Sequence, residues 1–204
     1  AEILATLLKI CQPIKSFEEL NRLARNSSVG ELTHRLKGHA AARYFNQDNS
    51  VTASSILSVL TTNSKPLSYL KDDNPNGMFS LKSYFEQIKQ GENNWLFLAT
   101  KPSNRQITLP LIASMVELAC SEMMNIGIDQ NRRLWFVLDE LAALGNLPAL
   151  SPLMAEGRKY GACVMAGLQS LNQLNESYGS YGASKLFGQF GTLCFFRNRE
   201  ESIA

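Results

Sequence analysis

Five consecutive apolar residues, Leu134-Trp135-Phe136-Val137-Leu138, run directly into two acids, Asp139 and Glu140. An uninterrupted apolar pentad has no polar face to offer water, so it reads as a strand covered on both sides, the habit of parallel sheets. Two carboxylates then emerge at its C-terminal end, the edge where open parallel sheets bind ligands. This is a Walker B pattern. Asp139 would hold the Mg²⁺ of a nucleotide, directly or through water, and Glu140 would orient and polarise an attacking water. The plainer reading is a strand followed by a helix start with acids in its first turn. The pentad and its acids do not choose between the two.

The surrounding pattern favours a parallel sheet. From Ser80 onward, helical and apolar segments alternate: a helix over Ser80–Lys89, a strand over Trp95–Ala99, and a helix over Thr108–Asn125 with Leu111, Met115, Leu118 and Met123 near one stripe. The pentad follows, then a helix over Ala149–Tyr160, a strand over Ala162–Ala166, one or two short helices, and a strand over Thr192–Phe196. Continuously apolar strands separated by helices predict a parallel sheet with helices on both faces. Residues 1–80 differ in texture, with helical periodicity, polar turns and few strand-like runs. Ser16-Phe17-Glu18-Glu19 is a capping-box pattern opening a helix whose inner face would carry Phe17, Leu20, Leu23 and Ala24. Further helices are expected over Gly30–Phe45 and Val51–Thr61, with Phe17, Leu20, Leu32, Leu36 and Phe45 buried. The division is therefore an all-α domain over 1–80 and an α/β domain over 81–204.

Two features downstream of the acids bear on their chemistry. The turn after the next helix reads Glu156-Gly157-Arg158-Lys159-Tyr160-Gly161, and the following strand ends in Gly167-Leu168-Gln169-Ser170. Gln169 is a neutral amide at a strand tip, suited to touch a γ-phosphate or the lytic water. Arg158 lies on a turn from which a guanidinium could reach a neighbouring subunit. The bland alternatives are a solvated Arg-Lys pair and a helix cap by Gln169 or Ser170. Each suffices alone; both together, at these spacings behind an Asp-Glu pair, do not.

Composition sets the outer limits. With 204 residues, 45% of them hydrophobic and 19% charged, the chain can bury a core and is not wholly disordered. A net charge of +2 excludes a strongly basic nucleic-acid wrapper but allows a local groove. The longest largely apolar stretch, Leu109–Cys120, contains Glu117 and is too short to span a membrane. Cys11, Cys120, Cys163 and Cys194 form no CxxC pair, and with two histidines a zinc site is not expected. Widely spaced thiols of this kind suggest core packing in a reducing, cytosolic compartment. A chain that starts at Ala1 and stops just beyond an apolar run suggests a piece of a larger protein.

Trp135 through Leu141, Leu147-Pro148, Glu156 through Lys159, Gly167 through Ser170 and Gln173-Leu174 together resemble the coupling proteins of bacterial conjugation. These form the TraD/TrwB family of RecA/FtsK-like ATPases of type IV secretion, and the F-like TraD branch is the nearest likeness. The resemblance is dense from about residue 80 to Arg197 and thinner before it, where the register corresponds to an all-α domain inserted in the family's nucleotide-binding domain. It implies a partial RecA-like sheet in a membrane-anchored homo-hexamer at the cytoplasmic face of the inner membrane. Such a machine would use ATP and Mg²⁺ to pump single-stranded DNA, joining the relaxase and relaxosome to the secretion channel. Carried over residue by residue, Asp139 and Glu140 are the Walker B acids, Arg158 the arginine finger and Gln169 the water-sensing glutamine. One departure stands out: no GxxxxGK[ST] phosphate loop occurs in the sequence. The chain would carry half an active site and be inactive alone. The alternatives are another FtsK- or HerA-type DNA translocase, or a non-enzymatic helix-turn-helix module built on Leu20–Ala24 and a second helix bearing His34, Arg35 and Lys37.

Overall fold

A computed structural model of the chain describes residues 6–7, 16–45, 50–70 and 79–196. Its contacts divide the chain into two compact units, Ala1–Phe79 with Lys101–Thr108, and Ser80–Thr100 with Leu109–Ala204.

The elements of the first unit are all helices or 3-10 turns among its described residues. Helix α1 (Phe17–Asn26) begins where the capping pattern places it: the Ser16 hydroxyl accepts the Glu19 amide at 3.2 Å. It buries Leu20, Leu23 and Ala24, while Phe17 stays half-buried. Helix α2 (Val29–Arg35) is capped in the same way by Ser28, which accepts from Glu31 at 3.2 Å. The helix expected over Gly30–Phe45 is therefore broken. Gly38 takes φ +84°, a left-handed conformation that ends helices, and the chain re-enters as a 3-10 turn over Ala40–Phe45. Lys37 consequently lies outside the short second helix that a helix-turn-helix reading needs, and Arg35 turns to Glu19 at 3.8 Å. Helix α3 (Ser50–Asn63) overshoots its expected span at both ends and gives way to a 3-10 turn at Lys65–Tyr69 that carries Pro66. Leu20, Leu32, Leu36, Phe45, Ala53 and Leu60 share one core.

In the second unit, helix α4 (Leu81–Lys89) is capped by Ser80 and buries Phe85. Helix α5 (Arg105–Asn125), which belongs to this unit from Leu109 onward, starts three residues before the expected Thr108, out of a 3-10 turn at Pro102–Asn104. It buries Val116, Ala119, Cys120 and Met123. Of the expected stripe only Met123 is buried, and Leu118 is 56% exposed. The helix is apolar around much of its circumference, so periodicity alone could not select the inward face. Counted from Pro102, it is also long and apolar enough to cross a bilayer by length and composition, contrary to expectation. Its Val116–Met123 stripe is instead part of this unit's core.

Strands β1 (Leu134–Leu138) and β2 (Ala162–Ala166) pair in parallel, from Leu134 opposite Ala162 to Leu138 opposite Ala166. The crossover between them holds a 3-10 turn at Leu141–Leu144, helix α6 (Leu150–Glu156) and a second 3-10 turn at Gly157–Tyr160. The helix expected to reach Tyr160 thus tightens after Glu156. Helix α7 (Leu171–Phe187) follows β2 and kinks at Gly179. Phe136 and Leu138 point into the core with Leu141, Leu147 and Leu153. Trp135 and Val137 point away and are 58% and 60% exposed, so the pentad is buried on one face rather than two. The strands expected at Trp95–Ala99 and Thr192–Phe196 do not form: both segments lack a ladder partner, leaving Phe97 80% and Phe196 90% exposed. Cys194 is accordingly exposed, whereas Cys120 is buried; Cys11 lies outside the described residues.

Candidate nucleotide site at the edge of the strand pair

Asp139 and Glu140 leave the C-terminal end of β1, and Gly167–Ser170 leave the C-terminal end of β2. The pairing continues past both strands. The Gly167 amide donates to the Leu138 carbonyl at 2.8 Å, and the Leu141 amide donates to the Gly167 carbonyl at 3.0 Å. Asp139 and Glu140 are thereby clasped against the loop that carries Gln169. This approach requires glycine, because a Cβ at position 167 would run into the Asp139 carbonyl oxygen. Ser170, not Gln169, caps α7, its hydroxyl accepting the Asn172 amide at 3.1 Å. Gln169 is left exposed at the same edge as the acids.

Asp139 is exposed, while Glu140 is half-buried and its Oε1 is buried without a hydrogen-bond partner among the described residues. A carboxylate oxygen withdrawn from water is costly unless a donor or cation meets it. This orphaned oxygen beside a solvent-facing carboxylate fits a site for a hydrated cation or a positioned water. No group of three or more His, Cys, Asp and Glu residues gathers among the described residues. A Mg²⁺ here would therefore rest on Asp139 and a ligand's phosphates, the usual arrangement for this ion.

Arg158 stands apart. It is exposed in the 3-10 turn before β2, at the N-terminal end of the strand pair. The four residue steps from Ala162 to Ala166 alone put about 13 Å between the two ends. The acids and Gln169 are gathered at one edge; Arg158 does not join them within one chain. The carboxylate that could have neutralised it is taken, since Glu156 binds Lys159 at 2.7 Å. That hydrogen bond lowers the Glu156 pKa and raises that of Lys159. Among the described residues Arg158 makes no ion pair.

Sequence reasoning missed the residues that hold the crossover in place. Both carboxylate oxygens of Glu117 accept the Ala149 amide, at 3.1 and 3.3 Å. The Tyr178 hydroxyl accepts the Leu147 amide at 3.1 Å, and burial raises the Tyr178 pKa. These two amides flank Pro148, which has none. The partners lie more than thirty positions apart in the chain, and no local signal marks either one.

The chain matches the family model of the type IV secretion-system coupling protein DNA-binding domain over residues 1–204. It is 31% identical over 194 residues to the coupling protein TraD of Escherichia coli K12, spanning 94% of this chain and 27% of TraD. The plasmid coupling protein TrwB solved with the non-hydrolysable ATP analogue ADPNP is 31% identical with a TM-score of 0.77, over 92% of this chain and 45% of that one. TrwB solved with ADP and Mg²⁺ is 31% identical with a TM-score of 0.76, over 92% and 44%. The chain thus spans about a quarter of its curated relative and under half of the solved ones. The fold agrees with the expected class, a helical segment followed by part of a RecA-like parallel sheet. With its entire length matched, the chain belongs to the family of type IV secretion-system coupling protein DNA-binding domains.

Proposed function

We propose that this chain supplies the Walker B half of the ATPase site in a conjugative coupling protein. The observation that carries the reading is the pairing of exposed Asp139 with the orphaned, buried Oε1 of Glu140 at the C-terminal edge of two parallel strands. TrwB's binding of ADPNP and of ADP with Mg²⁺ supports ATP and Mg²⁺ as the ligands. Magnesium-ATP, when bound, supplies the transferable phosphoryl group and the cation that neutralises its charge. Asp139 holds the cation, Glu140 orients the attacking water and draws on its proton, and Gln169 hydrogen-bonds that water or the phosphate. Arg158, reaching in from a neighbouring subunit, stabilises charge on the transferred group. The phosphate-cradling loop comes from a part of the protein outside this sequence, which contains no GxxxxGK[ST].

We further propose the family's larger setting. The intact protein is a membrane-anchored homo-hexamer at the cytoplasmic face of the bacterial inner membrane. It receives the relaxase-bound relaxosome and drives single-stranded DNA into the type IV secretion channel. Residues 1–80 act as the all-α domain at its entrance and 81–204 as the motor portion. In the full-length protein, Glu140→Gln is expected to keep ATP binding and lose about 10²–10³-fold in turnover, because the amide keeps the shape but not the charge. ATP binding by equilibrium titration and phosphate release test this directly. Equal turnover in both proteins refutes the assignment.

A further inference from the structure

We propose that Arg132 is a positioning residue for Arg158, an inference that rests on the finger role assigned to Arg158 above. The turn carrying Arg158 is held at three successive carbonyls, each by the loop and strand start that follow α5. The Asp129 amide donates to Lys159 O at 3.1 Å, Arg132 Nη1 donates to Tyr160 O at 3.2 Å, and the Leu134 amide donates to Gly161 O at 2.9 Å. Arg132 contributes the one side chain among these donors. Its side chain is only 12% exposed, a depth at which an arginine has to be well partnered. Nη1 also donates to Gly127 O at 3.1 Å, and Nη2 lies 3.6 Å from the Asp129 carboxylate. The other oxygen of that carboxylate accepts the amides of Asn131 at 2.9 Å and Arg132 at 3.3 Å, closing the loop on itself.

The contact is close as well as polar. Gly161 adopts φ +89°, and a Cβ there would lie 2.5 Å from the Arg132 carbonyl oxygen. The turn thus meets Arg132 through both its side chain, at Tyr160, and its backbone, at Gly161. With Lys159 bound to Glu156, the one cation of the turn left to project is Arg158, on a backbone whose next three residues are fixed. Rigid presentation suits a group that must meet a phosphate on another subunit, because about 1 Å of misplacement can lower a rate about 10²-fold. A lysine at 132 brings one point charge in place of a planar fork and cannot reproduce contacts to Gly127, Tyr160 and Asp129 together.

The test uses the full-length protein. Arg132→Lys is expected to lose about 10²-fold in ATPase kcat with little change in KM for ATP. Subunit mixing separates a misplaced finger from general damage. Arg132→Lys subunits keep their own Asp139 and Glu140, so adding Glu140→Gln subunits, which carry an intact Arg158 turn, should restore turnover. Adding Arg158→Ala subunits should not, since every finger is then absent or misplaced. Rescue by Arg158→Ala subunits, failure of rescue by co-assembled Glu140→Gln subunits, or normal kcat in Arg132→Lys beside an inactive Arg158→Ala would overturn this inference alone. Normal turnover in Arg158→Ala would remove the finger reading and this inference with it.

Discussion

The two ends of one parallel strand pair are built differently. At the C-terminal end, Asp139, Glu140 and Gln169 converge through backbone bonds across Gly167, and Glu140 keeps a buried oxygen with no partner among the described residues. At the N-terminal end, the Arg158 turn is held at three consecutive carbonyls, yet Arg158 itself projects without an ion pair among the described residues. One end gathers polar groups of a single chain. The other stiffens the backbone around a cation that projects from it. On the proposed reading, one short segment prepares a bipartite site, the crossover carrying the acids at one end and Arg158 at the other.

Replacing the projecting cation tests the contrast most severely. Arg158→Ala in the full-length protein should lose about 10³–10⁵-fold in turnover while ATP binding and melting temperature stay near wild type. A loss of binding would place Arg158 in the nucleotide pocket of its own chain and erase the distinction between the ends. Gly167→Ala strikes the opposite end through the backbone. The added methyl has a carbonyl oxygen in its path, so stability should fall by about 1–3 kcal/mol and turnover should fall with it. Unchanged denaturant midpoints would mean that the clasp is looser than its hydrogen bonds indicate.

Tyr178→Phe probes the connection between the ends. It removes the acceptor for the Leu147 amide without changing ring packing, at a cost of about 0.5–1.5 kcal/mol in chemical denaturation. A wild-type midpoint would show that Glu117 alone secures the crossover. A further effect appears in alkali. Burial, reinforced by the Glu117 charge, pushes the Cys120 thiol up to about 12 from an ordinary value of 9. The folded state therefore holds its proton more tightly than the unfolded chain. Its contribution to stability is complete below pH 9 and is lost as pH climbs from 9 toward 12. Unfolding midpoints of Cys120→Ala, measured between pH 8 and 11, should fall less steeply above pH 9 than those of wild type.

Much of this is legible in the amino-acid order because its causes are local. Ser16 announces α1 through a hydroxyl that reaches an amide three residues on. The apolar pentad and Ala162–Ala166 mark both strands, and strand polarity alone puts Asp139, Glu140 and Gln169 at one edge and Arg158 at the other. Gly38 is visible too, yet whether a glycine ends a helix depends on packing beyond it, and the helix expected to run through it stops. The apolar runs at Trp95–Ala99 and Thr192–Phe196 have the composition of strands, but a strand exists only by pairing, and these two segments have no partner. Likewise, an apolar pentad tells how much of a strand can be buried, not how many faces a neighbour covers.

The sequence by itself therefore determined the family, the helical character of the described residues before Ser80, the two strands and the residue types at the candidate site. Each follows from periodicity, capping or a short motif in which cause and effect lie within a few positions. Tertiary structure alone decided which face of α5 turns inward, that Glu140 keeps a buried oxygen unpartnered among the described residues, and that Lys159 rather than Arg158 takes Glu156. It also decided that Glu117, Tyr178 and Arg132 hold backbone amides and carbonyls roughly thirty positions away. Such contacts depend on where the crossover lands against α5 and α7. That landing is set by many small packing terms summed over the core, and no single residue in the sequence carries them.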